Sequence, residues 1–229
     1  MYLTRHQTVK GPRWALDGRY LPSRFRLGLL LELFANVVPL DLERSPVTEV
    51  AEDPLLPPLD LQHEVWTSDG LYSETLEARR ARSITGTAYD KVYEAERPML
   101  FLKAVGWRTV GHGQPVRTRS DSQCSVPQPA LVLVLNQHLE IVGYTAGNDV
   151  FSRDIENENP LYLPQAKMYD DSCAVGPGIV IGDADSLRDI SIEILIERDG
   201  AVIFEASTRT SQMIRNPHDH FCGVQTGRA

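Results

Sequence analysis

A strand-rich fold of the α+β, mainly β class is predicted for this chain, and two hairpin patterns together with an ample apolar content predict it. The stronger hairpin lies between Ser191 and Ala206: Ile192, Ile194 and Ile196 alternate with polar neighbours, and Asp199-Gly200 suits a two-residue type I′ turn. The second pairs a nearly uninterrupted apolar strand, Leu131 to Leu135, with Leu139 to Thr145 across Asn136-Gln137-His138. With 229 residues, 42% hydrophobic and 24% charged, the chain is long enough for one large domain with a full core, which excludes a disordered polymer.

Taken in order, Met1 to about Leu61 is loosely organised and predicts a small N-terminal α/β portion. Within it Ser23 is positioned to cap a helix at Arg24 to Asn36, where Phe25, Leu29, Leu30, Leu33 and Phe34 recur at helical spacing and predict a core-facing stripe. Pro54, Pro57 and Pro58 break any helix between Asp53 and Asp60, so that segment reads as a linker. The expected organisation is therefore an N-terminal portion at 1–61, a core at 62–213 and a divergent, mobile tail at 214–229. Ser73 to Arg82 reads as a helix whose Glu77, Arg79, Arg80 and Arg82 form a solvated face. No internal repeat or low-complexity tract interrupts the chain.

A formal net charge of -8 argues against a nucleic-acid surface, which needs a basic patch or stripe. Cys124, Cys173 and Cys222 are odd in number, widely spaced and without a CxxC pair, which points to reduced thiols in a cytoplasmic protein. Met1 to Lys10 lacks the apolar centre of a signal peptide, and the run at Leu27 to Ala35 is far shorter than the ~20 residues that span a bilayer. No membrane partner is expected. His218, Asp219, His220 and Cys222 carry metal-binding groups, but their spacing matches no zinc site and they read as incidental surface residues.

The segment Gly143-Tyr144-Thr145-Ala146-Gly147-Asn148-Asp149-Val150-Phe151-Ser152-Arg153-Asp154 resembles the GYTxGNDxxxRD signature of the fumarylacetoacetate hydrolase (FAH) family. Asn157 to Lys167, with Pro164-Gln165-Ala166-Lys167, and Val92 to Pro98 are similar to the 2-keto-3-deoxy-sugar-acid (arabinonate-type) dehydratase branch. The resemblance runs from about Trp66 to Met213. It implies a β-roll of mixed sheets, shortened at its C-terminal end, with a sheet edge left uncovered and a homo-oligomer, dimer or higher, as the expected assembly. It also implies that Asp149 is a ligand of Mg²⁺ or Mn²⁺, and that Arg153 and Lys167 face a small 2-oxo acid, Lys167 lying in the pocket rather than the core. Read without the resemblance, Asp149 is a turn residue and Arg153 a partner for Asp149 or Asp154.

The departures from the family pattern bear on the chemistry. Gln128 and Ala130, in Pro127-Gln128-Pro129-Ala130, occupy the other two metal-ligand positions, where relatives carry glutamates. Met99, in Arg97-Pro98-Met99-Leu100-Phe101-Leu102-Lys103, replaces the glutamate that resembles a general base. Mg²⁺ is a hard cation held by oxygen, usually through one or two carboxylates, and Ala130 offers none. Two functions stay open. One is a metal-assisted lyase (dehydratase) or hydrolase acting on a 2-oxo acid such as a 2-keto-3-deoxy sugar acid. The other is a degenerate, catalytically silent relative that serves as an anion-binding or oligomeric structural protein.

Overall fold

The computed structural model describes residues 1–69, 95, 98–187 and 189–213. The expected helix at Ser73 to Arg82 and the tail residues His218 to Cys222 lie outside the described residues. The chain divides into two compact units, 1–65 with 103–183, and 66–102 with 184–229.

The first unit is built on a nine-stranded mixed sheet. Its strands are β1 (Tyr2–Thr8), β2 (Gly11–Leu16), β3 (Arg19–Tyr20), β4 (Leu55–Leu56), β7 (Thr109–Val110), β9 (Pro129–Leu135), β10 (Ile141–Asp149), β12 (Cys173–Val175) and β13 (Gly178–Ile181). The main path runs β3-β2-β1-β13-β10-β12-β7, with β4 on β1 and β9 on β10. All pairs are antiparallel except β12 with β7. Since Leu3 faces Ile179 and Gly143 faces Ile181, the N-terminal residues and the family-like segment share one sheet.

Leu3, Trp14, Leu16, Leu21, Val142 and Ile179 pack with Leu27, Leu30, Val38 and Leu42 in the buried core of this unit. Full burial of such a side chain is worth about 1.5–3 kcal/mol. The expected helix at Arg24 to Asn36 is broken into two short ones, α1 (Leu27–Leu30) and α2 (Val38–Arg44). Ser23 does not cap α1; the N-cap is Arg26, and Ser23 offers only its carbonyl to the Arg26 guanidinium. The predicted stripe holds in part: Leu30 is buried and Phe25 and Leu33 pack against the core, while Leu29 and Phe34 are exposed. Pro39 at the start of α2 favours a new helix start over continuation of the old one.

The proline-rich Asp53 to Asp60 is also not a free linker. Leu55 and Leu56 pair with His6 and Arg5, and Asp53 accepts hydrogen bonds from the Tyr20 hydroxyl at 2.5 Å and from His6 Nδ1 at 2.7 Å. An edge strand needs only one row of backbone bonds, which is why prolines are tolerated around it.

The hairpin of β9 and β10 forms as its pattern predicts, with Leu139 at φ 63° closing the turn. Gly143 and Gly147 are required by close approach. A Cβ on Gly143 would lie 2.7 Å from the Val180 carbonyl oxygen, and one on Gly147 2.5 Å from Val132 Cγ2. In the second unit β14 (Ser191–Arg198) and β15 (Ala201–Arg209) form the other predicted hairpin, with Asp199 at φ 53° and Gly200 at φ 76° as a type I′ turn requires. Two-stranded pairs β5 (Glu64–Asp69) with β6 (Met99–Val105), and β8 (Ser125–Val126) with β11 (Phe151–Ser152), complete the described strands.

Candidate functional site

Asp149 is the last residue of β10, where its main chain is held on both sides. Its N–H donates to the Gln128 carbonyl at 2.9 Å, and it stands opposite Cys173 in β12. The preceding Asn148 accepts the Gln128 N–H through its side chain, also at 2.9 Å. These bonds aim the Asp149 carboxylate into the interior, where the residue is only 5% exposed.

Two lysines meet it there. Lys167 Nζ lies 2.8 Å from Asp149 Oδ2, and Lys103 Nζ 2.7 Å from Oδ1. Lys167 sits in the last turn of α4 (Leu163–Lys167), which follows α3 (Arg153–Glu158). Its ammonium also donates to Gln128 Oε1 at 3.0 Å and lies 4.3 Å from the centre of the Phe151 ring. Lys103 donates to the carbonyls of Val150 and Lys167 and to Ser172 Oγ. Its ammonium thus has four oxygens around it, of which Asp149 Oδ1 is the charged one.

Burial pulls the Lys103 ammonium below its ordinary range, and the Asp149 carboxylate opposes that shift. Burial pushes the neighbouring Cys173 thiol up to about 11, against the pull of Lys103. Tyr169, whose ring lies 5.9 Å from Lys103 Nζ, is likewise raised by burial.

Of the residues singled out in the sequence, Asp149, Lys167 and Gln128 are brought together. Ala130 stands opposite Gly147 in the β9–β10 ladder and contributes no donor atom. Met99 opens β6, is half-buried, and belongs to the second unit. Arg153 pairs with neither Asp149 nor Asp154. Its guanidinium lies 5.0 Å over the Phe151 ring, while Asp154 accepts from Ser122 Oγ and the Gln123 N–H and pins that turn. Lys167 is fully buried, with its ammonium on Asp149 and Gln128.

Lys103, Ser172 and Phe151 are the members that sequence reasoning missed. Their one signal was a lysine placed inside an apolar strand, between Leu100-Phe101-Leu102 and Ala104-Val105. Cys124 is exposed and Cys173 buried, both as free thiols.

Among the described residues the donor set does not fit Mg²⁺. Asp149 supplies one carboxylate already shared by two ammonium groups, Gln128 supplies a neutral carbonyl oxygen committed to Lys167, and Ala130 supplies nothing. Among the described residues no group of three or more His, Cys, Asp or Glu side chains is gathered for a metal.

Residues 86–227 match the family profile described as fumarylacetoacetate (FAA) hydrolase C-terminal. The chain belongs to the fumarylacetoacetate hydrolase family. A probable 2-keto-3-deoxyxylonate dehydratase of Haloferax volcanii is 46% identical over 160 residues, which are 69% of this chain and 55% of that protein. A 2-dehydro-3-deoxy-D-arabinonate dehydratase of Saccharolobus solfataricus is 45% identical over 157 residues, 66% of this chain and 53% of that one. The chain thus matches only about half the length of these curated relatives. The apo structure of 2-keto-3-deoxy-D-arabinonate dehydratase superposes with a TM-score of 0.82 at 32% identity, covering 98% of this chain and 82% of that one. Its complex with magnesium and 2,5-dioxopentanoate gives a TM-score of 0.77 at 32% identity, covering 96% and 80%. The strand-rich fold is that of these FAH-type dehydratases. Among the described residues no helix is long and apolar enough to cross a membrane.

Proposed function

We propose that this chain binds a 2-oxo acid of the 2-keto-3-deoxy-sugar-acid class at the Asp149–Lys167 site, with Lys167 receiving the carboxylate and Arg153 the remaining anionic or hydroxyl groups. The observation that carries the reading is the ammonium of Lys167, held on Asp149 and Gln128 in a family whose similar members are dehydratases of such acids. One neighbour's complex with 2,5-dioxopentanoate supports a ligand of that chemical class.

For lyase chemistry the residues must stabilise the enolate formed when a C3 proton leaves, before a hydroxyl departs. A fixed ammonium can stabilise that oxyanion. What the described site lacks is a carboxylate free to take the proton, because Asp149 is held by two lysines and Met99 replaces the glutamate at the base position. These features favour the second reading, a binding protein with little or no turnover.

Titration of the whole chain with pyruvate and with a 2-keto-3-deoxy sugar acid, alongside an assay for 2,5-dioxopentanoate, tests both readings. Binding of the sugar acid that is lost in Lys167→Met, while that variant keeps the wild-type circular-dichroism spectrum, supports the site. Binding of neither compound rejects it. Release of 2,5-dioxopentanoate at a rate proportional to protein establishes the lyase, and binding without release establishes the silent form.

A further inference from the structure

The two oxygen-bearing side chains at the positions where the family resemblance places a divalent ion are both directed at Lys167. Its Nζ is 2.8 Å from Asp149 Oδ2 and 3.0 Å from Gln128 Oε1. We propose that the Lys167 ammonium is a built-in cation standing in for the metal, so that a 2-oxo acid binds without a divalent ion by taking the place of Gln128 on Nζ. The inference rests on the 2-oxo-acid reading above and specifies how that ligand is held.

Three observations carry it. First, the cation is fixed by the fold: the Lys167 carbonyl accepts from Lys103 Nζ and Ser172 Oγ, and its Nζ lies against the Phe151 ring. A positioned charge of this kind needs little reorganisation when an anion arrives. Second, the two oxygen acceptors described on Nζ differ. Asp149 is buried and charged, whereas Gln128 is half-buried and neutral. An entering carboxylate adds a full opposite charge to a bond that the neutral carboxamide makes with the same ammonium only as a dipole. The Gln128 carboxamide is therefore the partner that an entering carboxylate displaces, while Asp149 stays. Third, the replacement at position 128 acts in the same direction. Glutamate at position 128 would put negative charge on the Lys167 ammonium and compete with an anionic ligand, which neutral Gln128 does not do.

Calorimetric titration of pyruvate into the intact chain, once with EDTA and once with excess Mg²⁺, tests the inference. The expected result is the same affinity in both buffers. Because Lys167 is buried, its own variants risk misfolding, and the decisive changes are made at Gln128. Gln128→Ala removes the competitor and binds pyruvate more tightly. Gln128→Glu places a carboxylate on Nζ and weakens binding in EDTA by about tenfold, the order expected for one charge-assisted hydrogen bond. A wild-type chain whose affinity for pyruvate rises tenfold or more (~1.4 kcal/mol) on adding Mg²⁺ overturns the built-in cation and leaves the 2-oxo-acid reading standing. So does a Gln128→Glu chain that binds as the wild type does in EDTA. Absence of binding in both buffers, for pyruvate and sugar acid alike, removes the 2-oxo-acid reading itself.

Discussion

Asp149 has two carboxylate oxygens and each faces a lysine, in a region where all three side chains are less than 10% exposed. Burying charges is costly and is offset only while they remain paired, so removing one partner of such a set typically costs about 3–5 kcal/mol. Asp149→Asn is expected to destabilise the chain by that order, measured as a lowered urea midpoint with an unchanged slope. Equal midpoints would mean that the lysines find other acceptors. The metal-ligand positions permit a second experiment. Gln128→Glu and Ala130→Glu together are expected to raise Mn²⁺ affinity by more than the two single changes combined, because both carboxylates would act on one ion. Strictly additive effects would count against a shared site.

Cys173 provides a pH test at the same scale. Its thiol is raised from 9.0 to about 11 chiefly by burial, so the folded state holds its proton more tightly than the unfolded state. The resulting stabilisation is complete below pH 9 and is lost as pH rises from 9 through 11. A rise of that size is worth about 2–3 kcal/mol. The wild type is expected to lose stability more steeply than Cys173→Ala across that window, followed by denaturant unfolding at each pH. Parallel curves for the two proteins would refute it.

Among the elements, β10 carries the site because two glycines let its neighbours come close. Gly143→Ala would drive a methyl to 2.7 Å from the Val180 carbonyl oxygen and Ile179 Cγ2, an overpacking expected to cost about 1–3 kcal/mol. Thermal unfolding measures it directly, and an unchanged midpoint would show that β13 yields. The hairpins β9–β10 and β14–β15 were legible from local pattern, because a turn and two alternating runs specify their own register. The helix at Arg24 to Asn36 was misread because Phe34 and Leu29 have helical spacing but no core to face. The segment at Asp53 to Asp60 was misread because its prolines could equally flank an edge strand, and the strand that accepts it, β1, lies some fifty residues earlier.

For the whole molecule, the proposed absence of a positioned base and of ligand carboxylates sets the expected rate. A general base contributes roughly 10²–10⁴ in rate, and each ~1.4 kcal/mol is a factor of ten. Turnover of a 2-keto-3-deoxy sugar acid is therefore expected to lie about a thousandfold or more below that of the dehydratases it resembles, a loss of ~4 kcal/mol. A side-by-side assay with the Saccharolobus solfataricus enzyme checks this, and comparable rates would require a base that the described residues do not supply.

The sequence by itself determined the family and the two hairpins, since each is written in a contiguous run of residues, and the resemblance singled out positions 128, 130 and 149. Tertiary structure alone decided what became of those positions. Lys103, Gln128, Asp149, Lys167 and Ser172 are spread over some seventy residues and meet only when β6, β10, α4 and the residues leading into β9 and β12 converge. A lysine forty residues from a glutamine carries no local sign that the two share a proton donor and an acceptor. Whether a missing carboxylate leaves a void or is answered by an ammonium depends on which side chains the fold brings within 3 Å, because hydrogen bonds and close ion pairs act only at that range.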